Sequence, residues 1–125
     1  MAHMSSPARQ SILLLALVLL ATLLSTGAAQ TGVSPRKIEI TAKRFSYEPA
    51  EITLKKGEPV TLIFRSLDVT HGFSVKEFHL KAVIHKNRPT ELTFVPDEAG
   101  TFEAHCSYFC GIGHGSMKMI IHVTE

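Results

Sequence analysis

Thr101-Phe102-Glu103-Ala104-His105 runs into Cys106-Ser107-Tyr108-Phe109-Cys110-Gly111-Ile112-Gly113-His114-Gly115-Ser116-Met117 and out through Lys118-Met119-Ile120-Ile121-His122-Val123, which reads as strand, loop and strand. The loop packs two thiols, an imidazole and a thioether into a dozen residues. Cys and Met are soft ligands that suit copper(I) or iron–sulfur clusters, and imidazole suits copper and zinc, so the mixture points first to copper. A structural zinc site would use paired Cys and His at short spacing, and Met117 falls outside that pattern.

A Cys-x-x-x-Cys-x-x-x-His-x-x-Met run lets one loop fold back and aim four side chains at one point. Gly111, Gly113 and Gly115 are expected to allow that path, because glycine accepts backbone angles other residues avoid. A mononuclear blue-copper ligand set is two His, one Cys and a weak axial Met. The run therefore holds one Cys too many and one His too few. Two coppers bridged by two sulfurs would use the surplus thiol, and the missing imidazole must come from elsewhere. The bland reading is a Cys106–Cys110 disulfide in an oxidising compartment with Met117 as ordinary core. It leaves the offsets of His114 and Met117 unexplained.

The second imidazole is best sought at His71, in Asp68-Val69-Thr70-His71-Gly72-Phe73, where a loop follows a strand and Gly72 permits close approach. His79, His85 and His122 read as surface or strand-face residues, and His3 falls in the stretch read below as a cloning remnant. His105 adjoins Cys106, but a strand over Thr101–His105 turns its side chain to the face opposite Ala104.

Working outward, the body reads as short β runs: Lys37–Ala42, Glu51–Leu54, Val60–Arg65, Gly72–Val75, Lys81–His85, Thr90–Phe94, Thr101–His105 and Lys118–Val123. About eight short strands with turn signals between them predict an all-β sandwich or barrel. Ile38, Ile40 and Ala42 alternate with Glu39 and Thr41, and Thr61, Ile63 and Arg65 with Leu62 and Phe64, the period of strands with one buried face. Lys55-Lys56-Gly57-Glu58-Pro59 and Pro96-Asp97-Glu98-Ala99-Gly100 carry turn chemistry.

The 125 residues leave room for one domain. Met1 to His3 read as a cloning remnant, and residues 4–29 as a signal peptide or an N-terminal membrane anchor. The apolar run Ile12 to Leu24 falls short of the roughly 18 residues of a spanning helix, and Ser25-Thr26-Gly27-Ala28-Ala29 suits signal peptidase, so cleavage after Ala29 is preferred over an uncleaved anchor. Residues 30–36 read as a linker and residues 37–125 as the folded domain. Either fate of the leader places the body in the periplasm or on the outer face of the cytoplasmic membrane, with membrane contact only through an uncleaved leader. Thirteen Lys and Arg stand against eleven Asp and Glu. No basic stripe in the sequence argues for nucleic acid.

The motifs Asp68-Val69-Thr70-His71-Gly72-Phe73 and Cys106-x-x-x-Cys110-Gly111-x-Gly113-His114-x-x-Met117 together resemble the dinuclear copper (CuA) domain of cytochrome c oxidase subunit II, especially short bacterial forms with a single membrane helix. The likeness covers nearly the whole body, including Phe45-Ser46-Tyr47-Glu48-Pro49, the Lys56-Gly57 turn and Gly100-Thr101-Phe102. A similar centre occurs in nitrous oxide reductase. The resemblance implies a cupredoxin-like Greek-key β-sandwich holding two coppers in a mixed-valence pair. Cys106 and Cys110 would bridge both metals, with His71 and Met117 on one and His114 plus the Tyr108 backbone carbonyl on the other. It implies one-electron transfer, with cytochrome c or another small redox protein as donor and a heme–copper oxidase subunit I as possible acceptor. Two departures stand out. Tyr108 occupies a position where many subunits II place a Glu that contributes to a magnesium site, which puts that site in doubt. The chain also has no Trp, where many relatives use one to admit electrons; Phe45 and Tyr47 are weak substitutes. No nucleophile–base arrangement suggests substrate chemistry. Two other functions use the same residues: a periplasmic copper carrier, which would release copper on oxidation or to a chelator, and a mononuclear blue cupredoxin with Cys106 idle.

Overall fold

The computed structural model describes residues 32–125, so the leader readings and the cleavage after Ala29 lie outside the described residues. Among the described residues no helix is long and apolar enough to cross a membrane. Nine strands form among the described residues: β1 Arg36–Lys43, β2 Ser46–Glu48, β3 Glu51–Lys55, β4 Val60–Ser66, β5 His71–Val75, β6 Leu80–Ile84, β7 Thr90–Phe94, β8 Gly100–His105 and β9 Lys118–Thr124. They make a four-stranded sheet ordered β2-β1-β4-β7 and a five-stranded sheet ordered β3-β9-β8-β5-β6.

The alternation in β1 works as its sequence predicts, with Ile40 and Ala42 buried and Lys43 exposed. In β4, Leu62 and Phe64 are buried, but so is Thr61, against expectation. β4 is flanked on both sides, and Thr61 Oγ1 shares a 2.7 Å hydrogen bond with Thr93 Oγ1 on β7, which lets a hydroxyl sit inside. The ninth strand, β2, is three residues long, too short to show a period. It exists through pairing, with Thr41 to Lys43 of β1 opposite Glu48 to Ser46. A further difference concerns His71, which opens β5 rather than lying in a loop.

Contacts between the sheets position the start of β5. The Phe64 ring lies 4.7 Å from that of Phe73, centroid to centroid, and Tyr47 meets Phe73 edge-on at 6.0 Å. Each fully buried aromatic stabilises the fold by roughly 1.5–3 kcal/mol relative to leaving it in water. The Tyr47 hydroxyl donates to the carbonyl of Gly72, tying the short strand of one sheet to the residue after His71 in the other. Tyr47→Phe keeps the ring but strips that buried carbonyl of a donor, so we expect a loss of about 1–2 kcal/mol in urea unfolding with an unchanged slope. A change below about 0.3 kcal/mol would show the bond to be energetically idle.

Candidate metal centre

The two ligand segments meet at one end of the sandwich. His105 of β8 pairs with Lys118 of β9, and immediately beyond them the Cys106 N–H donates to the Met117 carbonyl at 3.1 Å. The twelve-residue loop is thus closed at its neck. Inside it, Gly111 and Gly113 have φ of 136° and 108°, angles open to glycine and strained for other residues. A Cβ on Gly113 would come within 2.9 Å of the Phe45 ring, so the loop also needs glycine for its close packing on that ring. Gly115 is different: it has open space around it, and its expected part in the tight path is not required. A 3-10 turn over His114–Ser116 then swings the chain back toward Cys110.

Six sequence-selected groups converge. Cys106 Sγ and Cys110 Sγ lie 3.6 Å apart, both are free thiols, and both side chains are buried. A disulfide needs about 2.05 Å between sulfurs, so the bland reading of a Cys106–Cys110 bridge is not what this structure shows. Cys110 Sγ is 3.8 Å from His114 Nδ1 and 3.9 Å from Met117 Sδ. The Tyr108 carbonyl accepts from Cys106 Sγ at 3.1 Å. A ring nitrogen of His71 and the two sulfurs all lie within 4.8 Å of one another. His71 and Met117 are fully buried, whereas His114 is half-buried with the Phe109 ring 5.8 Å from its own. Among the described residues, the other histidines stay outside: His105 meets Glu103 at 3.1 Å, His122 meets Glu51 at 3.0 Å, His85 meets Arg88 at 3.1 Å, and His79 is exposed.

The donors suit a metal for a reason independent of spacing. His71 Nε2 is 2.6 Å from Asp68 Oδ1, while Nδ1 is buried without any hydrogen-bond partner. Such an orphaned polar atom is costly unless something binds it, and a carboxylate on one ring nitrogen fixes the tautomer that leaves the other with a free lone pair. Thiolate, thioether and imidazole together fit copper. Burial, then the neighbouring Cys106, push the Cys110 thiol up to about 11, so a metal must displace its proton.

Asp68 and Arg44 escaped the sequence reading as functional groups. Burial acts to raise the Asp68 pKa, but hydrogen bonds from the Arg44 N–H, the His71 ring and the Val69 N–H outweigh it and lower the pKa to about 2. Arg44 is the strap: its N–H donates to Asp68 Oδ2 at 2.7 Å and its Nε to the Cys110 carbonyl at 2.8 Å, linking both ligand segments. The spacing of Asp68 three residues before His71 was a usable signal. Nothing in the sequence marks Arg44, which sits 66 residues from Cys110. Of the two proposed electron-entry rings, Tyr47 is buried and Phe45 packs beneath the glycines of the loop.

A two-sheet sandwich carrying Cys, His and Met on the loop between its last two strands accords with the family whose model, the cupredoxin-like domain, matches residues 13–118. The chain belongs to the cupredoxin-like family. Among curated relatives, this cupredoxin is 34% identical over 97 residues to the nitrous-oxide reductase of Cupriavidus necator, covering 71% of this chain but only 15% of that protein. It thus spans a small part of the reductase's length. It is 27% identical over 96 residues to cytochrome c oxidase subunit 2 of Thermus thermophilus, covering 77% of this chain and 71% of that one. Among solved structures, the periplasmic domain of cytochrome oxidase subunit II from Bradyrhizobium japonicum superposes on the cupredoxin with a TM-score of 0.67 at 20% identity, covering 77% of this chain and 88% of that one.

Proposed function

We propose that this cupredoxin carries single electrons through a dinuclear copper centre on the periplasmic side of the cytoplasmic membrane, as the electron-entry domain of a cytochrome c oxidase or a free-standing relative of it. The observation that carries the reading is the pair of free, buried thiols 3.6 Å apart, with the unpartnered Nδ1 of buried His71 beside them. One thiol would suffice for a mononuclear blue site; two facing sulfurs are what a bridged pair requires. The relation to subunit 2 of an oxidase and to nitrous-oxide reductase supports the same reading.

In this proposal Cys106, Cys110, His71, His114, Met117 and the Tyr108 carbonyl would hold the coppers, the two thiolates and the thioether supplying soft donors beside the imidazoles. A bridged copper pair supplies a site that accepts one electron spread over two metals, so each ligand shifts little on reduction. The chain's own residues do the rest. Asp68 and Arg44 hold His71 and the Cys110 backbone in register, Phe64, Phe73 and Tyr47 keep water from the buried side, and the Gly72 N–H lies 3.3 Å from Cys106 Sγ as a donor to that sulfur. Hydrogen bonds to sulfur and a dry surround are levers that tune such a centre. The electron donor would be a small redox protein such as a cytochrome c, and the acceptor a heme–copper subunit.

Metal analysis after reduction of the thiols and copper loading should give two coppers per chain and, in the mixed-valence state, a purple protein with hyperfine structure from two equivalent nuclei. One copper per chain, with lines from a single nucleus, would overturn the dinuclear reading and leave the mononuclear one.

A further inference from the structure

Charges scattered in the sequence gather at the metal end. Arg65 and Ser66 close β4, whose chain continues through residues 67–70 to His71. Ile84, the last residue of β6, pairs with His71, and the connection from it leads to Thr90, which pairs with Phe64 of β4. Residues 65–66 and 86–89 therefore flank the same end of the sandwich as His71. They line a pocket of about 200 Å³ formed by Arg65, Ser66, Lys86, Asn87, Arg88 and Pro89. Arg65, Lys86 and Arg88 are exposed, and among the described residues none makes an ion pair with a carboxylate. Glu91, in register with Ile63 on the neighbouring strand, makes none with Arg65 either. Asp68 is engaged by His71 and the Arg44 N–H. Elsewhere Lys55 pairs with Glu58 and Lys56 with Glu125 at 3.5 Å, and Lys118 with Glu103 at 3.0 Å. Other cations among the described residues, such as Lys37, Lys43, Lys76 and Lys81, also make no ion pair, so what marks Arg65, Lys86 and Arg88 is that they gather around one pocket.

Beside this cationic flank the surface is apolar. Leu67 is 69% exposed, Phe109 74% and Ile112 95%, although the last two belong to the loop that carries both sulfurs. A second pocket, of about 260 Å³, joins Val69 and Thr70 to Phe109 and Cys110. The run from Arg65 to Thr70 thus leads from one pocket to the other. Single exposed apolar side chains are ordinary, but several grouped at one end and rimmed by charge mark an interaction site.

We infer that the metal end docks a redox protein whose contact face is acidic around an apolar centre, steered by Arg65, Lys86 and Arg88 and seated on Leu67, Phe109 and Ile112. The inference rests on the electron-transfer reading and adds the sign of the partner's charge. One electron passes between the partner's redox group and the copper centre, and no bond is made or broken. Opposite charge on two faces raises the encounter rate and is screened by salt, whereas apolar contact persists at high salt.

The test uses the full copper-loaded chain with two forms of one probe, a basic cytochrome c and the same cytochrome with its lysines succinylated. At roughly 10 mM ionic strength the succinylated form should exchange electrons about tenfold faster or more, and the difference should vanish near 0.5 M salt. Arg65→Glu, Lys86→Glu and Arg88→Glu together should reverse the preference with copper content and spectrum unchanged. Leu67→Ser with Ile112→Ser should slow exchange about equally at every salt concentration. In nuclear magnetic resonance titrations of the metal-free, reduced chain with the succinylated cytochrome, shifts should fall on residues 65–70, 86–89 and 109–112. A faster native cytochrome at low salt, a triple variant that keeps the wild-type preference, or shifts elsewhere would each overturn the inference. Shifts at these residues without electron exchange would uphold the surface and overturn the electron-transfer reading. Exchange with a small inorganic reagent, but with no charge preference between the cytochromes, would do the reverse. Binding to phosphatidylglycerol vesicles, lost in the triple variant and without cytochrome binding, would make this a membrane surface and overturn the inference.

Discussion

Cys106→Ser should leave a chain that binds one copper in place of two and has lost the spectrum of a shared electron, while Cys110→Ser should bind copper poorly. The asymmetry comes from which sulfur the other donors approach. His114 Nδ1 and Met117 Sδ lie 3.8 and 3.9 Å from Cys110 Sγ, and a ring nitrogen of His71 lies within 4.8 Å of both sulfurs, so with Cys106 removed Cys110 still has two imidazoles and a thioether around it. That is the set of a mononuclear blue-copper site. Cys106 is held instead by the Gly72 N–H at 3.3 Å and the Tyr108 carbonyl at 3.1 Å. We expect copper content to fall from two to one in the first variant and well below one in the second, read by metal analysis after desalting. A Cys106→Ser protein that still holds two coppers with unchanged hyperfine structure would show that Cys106 does not bridge.

Gly72→Val should cost roughly 2–4 kcal/mol of stability in the metal-free protein and abolish stoichiometric copper uptake. A Cβ at residue 72 would meet the backbone nitrogen of Tyr108 and lie 2.8 Å from the backbone carbonyl carbon of Ser107. Those atoms are main chain in a loop closed at its neck, so they cannot swing away as the tip of a flexible side chain could. Overpacking of this kind typically costs 1–3 kcal/mol, and the larger side chain adds to it. The same displacement pulls Cys106 from the Gly72 N–H and separates the loop from His71, which sits one residue away. Gly115→Ala is the control, because nothing lies near its Cβ position, and it should change stability by less than about 0.5 kcal/mol. Chemical denaturation of both variants, with copper titration, checks the pair. A Gly72→Val protein with wild-type stability and full copper uptake would show that the close approach of the two segments is dispensable.

Why much of this was legible, and the rest not, follows from the range of the interactions involved. Two-residue alternation reports which face of a strand is buried, and it identified Ile40, Ala42, Leu62 and Phe64. It failed at Thr61, whose burial depends on a threonine of another strand, 32 residues away. It also passed over β2, whose three residues are a strand only because β1 lies alongside. Glycine chemistry correctly singled out Gly111 and Gly113, where φ is positive. It overreached at Gly115, because a glycine in a sequence does not tell whether the chain turns left-handed there.

The ligand types and their offsets lie within one loop, so the sequence alone determined that Cys106, Cys110, His114 and Met117 could meet, and that a soft donor set would favour copper. It also singled out His71 and the need for glycine beside it. Only the tertiary structure decided that the two thiols face each other at 3.6 Å unbonded, that His71 Nδ1 is left without a partner, and that Arg44 straps Asp68 to the Cys110 carbonyl. It alone brought Arg65, Lys86 and Arg88 around one pocket in a chain whose charges nearly cancel. The physical reason is the same in each case: offsets along a loop constrain distances of a few residues, whereas side chains tens of residues apart become neighbours only when strand pairing and sheet packing bring their backbones together.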